Sequence, residues 1–249
     1  MRWELIIDGG LDGATNMAID AELLDEVDGS AEPRTIVRFY GWRRATISLG
    51  RNQKVEKAVD RLYCEANGIG IVHRPTGGRA VLHDDELTYA VISNDSSCFG
   101  DTIYGNYKRV SEALCLGYRH LGVPAVLAPD TRKPGITENG GDPPCFISPS
   151  RYELMVEGRK IVGSAQRRAR RSFLQHGSMP ITFDYEALAR ATGLTNAQAL
   201  KREMAGVAEF LPTRPGVEDL RAAFIRGFQE FFMVEFHPRS HRPVDPVTA

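Results

Sequence analysis

Residues 152–181 read YELMVEGRKIVGSAQRRARRSFLQHGSMPI, and this stretch decides the fold class. Three runs with strand character, 152–157, 160–168 and 172–181, follow one another with no room for a helix between them. Glu157-Gly158 supplies a hairpin turn between the first two. Strands joined this tightly are antiparallel neighbours. Upstream, further strands are expected at 3–7, 35–40, 45–49, 69–73, 80–82 and 87–93, with 35–40 and 45–49 flanking the turn 41–44. Helical spacing marks 15–27 (Met17, Ala21, Leu24, Val27), 55–67 (Val55, Ala58, Val59, Leu62) and 103–121 (Ile103, Tyr107, Val110, Leu114, Gly117, Leu121). Gly68 stands as the residue after the second of these helices, and Gly122 with Pro124 ends the third. Helices follow at 185–191, 196–204 and 217–232. Hairpin-linked strands with segregated helices give an α+β fold, a mixed and largely antiparallel sheet packed with helices. One domain over 1–249 is expected, with Pro212 and Pro215 in a connector and 213–249 as a C-terminal helical extension.

Charge and composition narrow the function. The chain carries 31 Lys+Arg against 32 Asp+Glu, so no global field draws it to nucleic acid or a lipid surface. Its 42% hydrophobic and 25% charged residues over 249 positions exclude a disordered or collagen-like chain and allow a full core. No uncharged apolar run approaches the roughly 18 residues of a membrane span. Glu4 and Asp8 interrupt what a signal peptide needs as an unbroken apolar stretch, so the cytoplasm is expected. Four cysteines without a C-x-x-C pair suggest neither a disulfide framework nor a zinc site. Cys64 and Cys115 fall in helices as packing residues, whereas Cys98 and Cys145 fall in loops and are candidates to meet a substrate.

Four clusters carry candidate chemistry. In 73–84, HRPTGGRAVLHD, the pair Gly77-Gly78 lets the backbone approach a ligand, and Arg74 and Arg79 can grip a phosphate or carboxylate. An ordinary hairpin with solvated arginines fits the same spacing. The pattern is neither a Walker loop nor a dinucleotide fingerprint, since no Gly-Lys-Ser/Thr follows and His73 stands at the third glycine position. The second cluster joins Cys145, in the Pro-, Gly-, Thr- and Asn-rich loop 130–150, to Lys160 in GRKIVGSAQ at 158–166. An ammonium beside a thiol favours the thiolate; an inert loop thiol and a solvated lysine remain the alternative. In the third, His176, within QHGS at 175–178, can donate to a carbonyl or carry a proton, or simply pack; His83 and Asp84 share that ambiguity. The fourth is the basic knot Arg167, Arg168, Arg170 and Arg171, with Arg159 and Lys160 upstream. It suits an acidic partner or a solvated hairpin tip; with no aromatic set beside it, nucleic acid is not indicated.

Together these clusters resemble the biotin/lipoate protein ligase superfamily, from Asn16-Met17-Ala18-Ile19-Asp20 to about Pro180. Arg74 to Asp84 resembles its signature ligand loop, and Glu157 to Gln166 its lysine strand. Pro144-Cys145-Phe146 ahead of Ser150-Arg151-Tyr152-Glu153 is similar to the octanoyltransferase branch that uses a cysteine. The resemblance implies the fold shared with class II aminoacyl-tRNA synthetases. It also implies Cys145 as the acyl-thioester residue and Lys160 as its activator. Arg74, Thr76, Gly77, Gly78, Arg79, His83, Gly163, Ser164, Ala165, His176 and Gly177 would bind substrate. Octanoyl-acyl carrier protein is the implied donor, and the lysine of a lipoyl domain of a 2-oxoacid dehydrogenase or of glycine-cleavage H protein the acceptor.

Thioester-to-amine transfer is downhill, so no cofactor and no metal are expected. Gly77-Gly78 or Ser164-Ala165 would supply backbone oxyanion donors, strands 69–72 and 156–162 would line an acyl tunnel, and the arginine knot would dock the carrier. A monomer is expected, without nucleic acid or membrane partners. Three rivals stand beside this reading: a lipoate ligase requiring ATP and Mg, an amidotransferase moving octanoyl from H protein to lipoyl domains, and a non-catalytic acyl-binding protein.

Overall fold

The computed structural model describes residues 2–128, 152–194 and 196–240. β1 (Arg2–Leu11) leads into α1 (Gly13–Gly29), whose N-terminus is capped by Asp12, accepting the Thr15 N–H at 3.0 Å and its hydroxyl at 2.6 Å. Met17, Leu24 and Val27 are buried as expected, but Asp20 is buried between them. β2 (Thr35–Trp42) and β3 (Thr46–Leu49) do not pair across 41–44. Both edges of β2 are taken, by β1 and a later strand, so β3 starts another sheet.

The expected helix 55–67 is two helices, α2 (Val55–Ala58) and α3 (Arg61–Ala66). Val59 is extended between them, and Asp60 caps α3 by accepting the Tyr63 N–H at 2.9 Å. A short acidic side chain inside an apolar helical pattern competes for backbone donors and restarts the helix. Gly68 follows with φ +68°, the left-handed residue expected there.

β4 (Gly70–His73), β5 (Val81–His83) and β6 (Glu86–Ser93) come next, then α4 (Ser96–Phe99) and α5 (Ile103–His120). Cys98, expected in a loop, lies buried in α4. β7 (Val126–Leu127), β8 (Leu154–Val156) and β9 (Arg159–Lys160) form a small sheet, in which Glu157 and Gly158 take φ +49° and +79° as a two-residue hairpin turn requires. β10 (Gly163–Arg168) and β11 (Phe173–Pro180) make the long hairpin. The expected strand 160–168 is thus divided: the Ile161 N–H returns to the Leu154 carbonyl (3.0 Å), and the chain then crosses to the large sheet. α6 (Tyr185–Ala191), α7 (Ala197–Glu203), a 3₁₀ turn (Val207–Phe210), α8 (Val217–Phe232) and β12 (Glu235–Pro238) complete the described chain.

The large sheet has the order β10-β11-β6-β2-β1-β12, antiparallel as far as β2 and parallel from there. β4-β3-β5 is a separate three-stranded sheet. Strand alternation divides the apolar residues between two layers. Val37, Phe39, Tyr89 and Val91 face α5 and α8, while Ile36, Tyr40, Ala90 and Ile92 face α1. The helices α5 and α8 cross at Gly117 and Gly227; a Cβ on Gly117 would stand 2.2 Å from Phe224, and one on Gly227 2.6 Å from the Ala113 carbonyl. The segment expected as a helical extension therefore enters the main core, with α8 on α5 and β12 beside β1. The α+β class, mixed sheet and helical cover agree with the sequence reading.

Candidate active site

The turn between β4 and β5 is folded around its own arginine. Arg74 is buried, and its guanidinium donates to the carbonyls of Ser48 (2.8 Å), Gly77 (2.8 and 3.1 Å) and Arg79 (2.7 Å), and to Ser48 Oγ (3.1 Å). Arg74 thus braces the loop that carries it. Gly77 and Gly78 are exposed, Gly78 with φ +92°, and Arg79 is half-buried.

Thr76 ties that loop to the large sheet. Its Oγ1 is 2.7 Å from His176 Nε2, and His176 Nδ1 is 2.8 Å from Asp20 Oδ2. Asp20 also receives Arg38 at 2.8 Å and the Tyr40 hydroxyl at 2.9 Å, and Arg38 reaches on to Asp8 at 2.7 Å. Burial disfavours the Asp20 carboxylate, but the His176 hydrogen bond and the Arg38 charge outweigh it and hold the carboxyl below its usual range. Burial likewise holds His176 below the usual imidazole range against the pull of Asp20. A neutral ring facing a carboxylate must carry its proton on Nδ1, so Nε2 accepts from the Thr76 hydroxyl. Both nitrogens of His176 are therefore engaged in holding the loop.

A second buried chain lies alongside. His83 Nδ1 is 2.9 Å from Glu86 Oε1, and its Nε2 is 2.7 Å from Ser48 Oγ. The Thr88 and Ser178 hydroxyls donate to the same Glu86 carboxylate, and Trp42 Nε1–H donates to Thr88 at 2.8 Å. The Trp42 ring stacks on His83 with centroids 4.1 Å apart.

These chains wall a narrow cavity of about 20 Å³ at the seam between the two sheets. Of the residues expected to bind substrate, Arg74, His83, Gly163, Ser164, Ala165, His176 and Gly177 line it. Thr76 acts through His176, and Gly77, Gly78 and Arg79 lie outside the lining. The apolar wall is Met17, Tyr40, Trp42 and Val81, not the expected strands 69–72 and 156–162. Val156, Ile161 and Val162 pack instead into the core beneath α5 and α8. Asp20, Arg38 and Glu86 were missed, although each is a charge set among apolar residues of its helix or strand.

Lys160 is buried on β9 with its Nζ 2.5 Å from Glu153 Oε1, three residues before Gly163 enters the cavity wall. Cys145 lies outside the described residues. Cys64, Cys98 and Cys115 are buried, and burial pushes each thiol up, which suits packing and not nucleophilic work. Arg168, Arg170 and Arg171 are exposed and Arg167 half-buried at the β10–β11 tip, whereas Arg159 pairs with Glu209 at 2.6 Å in the small sheet, away from that knot. Among the described residues no cluster of His, Cys, Asp or Glu is arranged to hold a metal, and no helix is long and apolar enough to cross a membrane.

The model of the lipoyl protein ligase A/B catalytic domain matches residues 12–229. The chain belongs to this family. Among its relatives, a Geobacillus kaustophilus protein named octanoyltransferase LipM is 38% identical over 95% of this chain and 88% of its own. The Bacillus subtilis octanoyltransferase LipM is 36% identical with the same coverage. Among solved structures, lipoate-protein ligase A bound with ATP matches with a TM-score of 0.77 over 98% of this chain and 90% of its own, at 24% identity. A bi-partite lipoate protein ligase from Thermoplasma acidophilum gives 0.78 over 98% and 88%, at 23% identity. These two share the fold.

Proposed function

We propose that this chain is an octanoyltransferase of protein lipoylation that works through an acyl-thioester on Cys145. The reading is carried by the near full-length likeness to the octanoyltransferase relatives. The geometry agrees: an apolar-walled cavity, a braced glycine loop beside it, and a buried lysine on the strand leading into its wall. Octanoyl-acyl carrier protein is the donor. Cys145 Sγ attacks the thioester carbonyl; the new C–S bond forms and the carrier leaves as a thiolate. The acceptor lysine, on a lipoyl domain of a 2-oxoacid dehydrogenase or on glycine-cleavage H protein, loses a proton and attacks in turn. A C–N bond forms and Cys145 is released.

Lys160 favours the Cys145 thiolate by its positive charge, and Glu153 holds the ammonium in place while screening part of its field. Thioester and amide exchange without ATP, so no cofactor enters. Exposed Arg168, Arg170 and Arg171 meet the acidic face of the carrier. They stand three to six residues along the hairpin from Ala165, so the nearest is on the order of 10 Å from the cavity wall. The enzyme acts as a monomer in the cytoplasm.

Intact-mass spectrometry after mixing with octanoyl-acyl carrier protein, without ATP, tests this. An octanoyl adduct on the wild type and none on Cys145→Ala is expected. Modification of the acceptor that requires lipoate and Mg-ATP would replace the reading with a ligase. Transfer from octanoyl-H protein alone would make it an amidotransferase.

A further inference from the structure

Charge along this neutral chain is uneven. Residues 43–59 carry five Lys and Arg against one acid, Glu56. Of the five, Arg51, Lys54 and Lys57 follow β3, at the end of the small sheet that holds the glycine loop. All three are exposed. Lys54 and Lys57, three residues apart, share one side of a helical turn that Glu56 does not. None of the three has an ion-pair partner among the described residues, whereas Arg34, Arg38, Arg159, Arg214 and Arg239 are each paired with a carboxylate. The turn that bears them is fixed to the glycine loop. The Arg51 N–H donates to the Thr76 carbonyl at 2.9 Å, and Gly50 and Gln53 close the turn through bonds of 2.9 and 3.1 Å. Gly50 lies so near the loop that a Cβ on it would stand 2.1 Å from the Gly78 carbonyl.

These cations stand beside the cavity. Ser48 lines it, and the chain from Ser48 to Arg51 spans at most about 10 Å. Gly77 and Gly78, next to Thr76, are exposed, and a Cβ on Gly77 would meet nothing within 4 Å. The loop is therefore bare of side chains at those two positions, and a partner's backbone can lie on it. The basic knot reaches farther out. The Arg171 N–H donates to Asp28 at 2.7 Å, and Asp28 lies eleven residues beyond the cavity-lining Met17 on α1, about 16 Å away at ~1.5 Å per residue. The two protein substrates differ in reach. A lysine side chain extends about 6 Å from its Cα, so the body of the acceptor must sit at the cavity. The phosphopantetheine arm of a carrier is roughly three times as long, so a carrier held on the knot still delivers its thioester.

We propose that Arg51, Lys54 and Lys57 form the docking surface for the acceptor protein, which meets them with acidic side chains around its target lysine. The proposal rests on the acyl-transfer reading above, in which the knot receives the carrier. Each substrate then has its own basic surface, and both deliver to one cavity. Complementary charge of this kind steers encounter and fixes orientation, and salt weakens it because the three cations are exposed.

Binding of an unmodified lipoyl domain is measured by titration calorimetry for three forms of the chain: wild type, a variant with Arg51→Glu, Lys54→Glu and Lys57→Glu, and a knot variant with Arg168→Glu, Arg170→Glu and Arg171→Glu. The first variant is expected to bind at least about tenfold more weakly than wild type, and the knot variant to stay within about threefold. Raising salt should weaken wild type more than the first variant. Thermal denaturation should give that variant a Tm close to wild type, since all three side chains are exposed. In steady-state transfer from octanoyl-acyl carrier protein, it should raise the half-saturating concentration of the lipoyl domain and leave that of the carrier unchanged. Binding of the lipoyl domain within about threefold of wild type overturns the proposal. A rise in the half-saturating concentration of the carrier instead also overturns it and gives this surface to the carrier. The calorimetry needs no turnover. If wild type binds the domain with this charge dependence and forms no octanoyl adduct, the transfer reading fails and the docking surface stands.

Discussion

Replacing Asp20 by asparagine removes one charge from the centre of the buried chain and keeps its shape. The carboxylate receives Arg38 and Tyr40 and orients His176, at 2.8, 2.9 and 2.8 Å. An amide offers one acceptor oxygen; turned toward Arg38, it presents its NH₂ to the Tyr40 O–H and to His176 Nδ1–H, both donors. His176 must then move its proton to Nε2, and the Thr76 hydroxyl, which had donated there, must turn away. Among the described residues, Arg38 retains Asp8 as its carboxylate partner. Removing one partner of a buried pair costs about 3–5 kcal/mol, which for a chain of this size corresponds to a Tm lower by roughly 6–20 °C. The pH dependence has a definite sign. The folded Asp20 carboxyl titrates below its unfolded value, so its contribution is complete above that unfolded value, near 3.8, and is lost as pH falls through the folded one. His176, held below 6.5 in the fold, adds stability that is complete above 6.5 and lost as pH drops through its lowered value. Urea denaturation of wild type and Asp20→Asn from pH 2 to 8 checks both. A loss under 1 kcal/mol at pH 7, or an acid limb as steep in Asp20→Asn as in wild type, would refute the assignment of this charge as a brace.

Lys160→Met should end adduct formation and lower stability by about 3–5 kcal/mol, since Glu153 stays buried opposite it. Adding Glu153→Gln should restore most of that stability and none of the acylation, as denaturation and intact mass would show. Gly177→Ala forces a methyl against Ser164, the Gly163 carbonyl and Tyr89, each at 2.8 Å, and is expected to cost about 1–3 kcal/mol in thermal denaturation together with most of the activity. Charge reversal of Arg168, Arg170 and Arg171 should raise the half-saturating concentration of octanoyl-acyl carrier protein and leave that of octanoyl-pantetheine unchanged; raising salt should do the same to wild type.

Local rules made much of the fold legible. Val217–Phe232 and Tyr185–Ala191 have the bounds their periodicity gives, and Glu157-Gly158 turns as such a pair must. What stayed hidden depends on distant partners. Residues 55–67 keep a helical stripe, yet Asp60 N–H bonds the Ala191 carbonyl at 2.9 Å and breaks the helix there. No pattern within β2 and β3 reveals that β6 occupies the edge β3 would need. In the candidate site, residue types alone did not show what each side chain touches. Arg74 and His176 looked like ligand donors because their partners, loop carbonyls and a helix aspartate 156 residues away, are invisible to spacing. Asp20 and Arg38 carried a usable signal, a charge inside an apolar stripe and a charge inside an apolar strand, which only a paired burial explains.

Buried ion pairs seldom stabilise a protein relative to apolar packing of the same volume, so their concentration around this cavity asks for another reason. The two chains suggest one. Asp8, Arg38, Asp20 and His176 reach the loop at Thr76, and Glu86, His83 and Ser48 reach it at Arg74, whose guanidinium then binds the Gly77 and Arg79 carbonyls. The glycine loop is gripped from both sides by directional bonds, which apolar side chains of equal size would not supply. Acyl transfer draws its rate from donors already aimed where the oxyanion forms, and a loop free to reorient would lose that advantage at each turnover. The apolar layers on the two faces of the large sheet offset the cost of these chains. A variant with both chains replaced by well-packed apolar residues should therefore hold its fold at little cost and transfer octanoyl slowly, and one that kept the wild-type rate would show that the loop needs no such bracing.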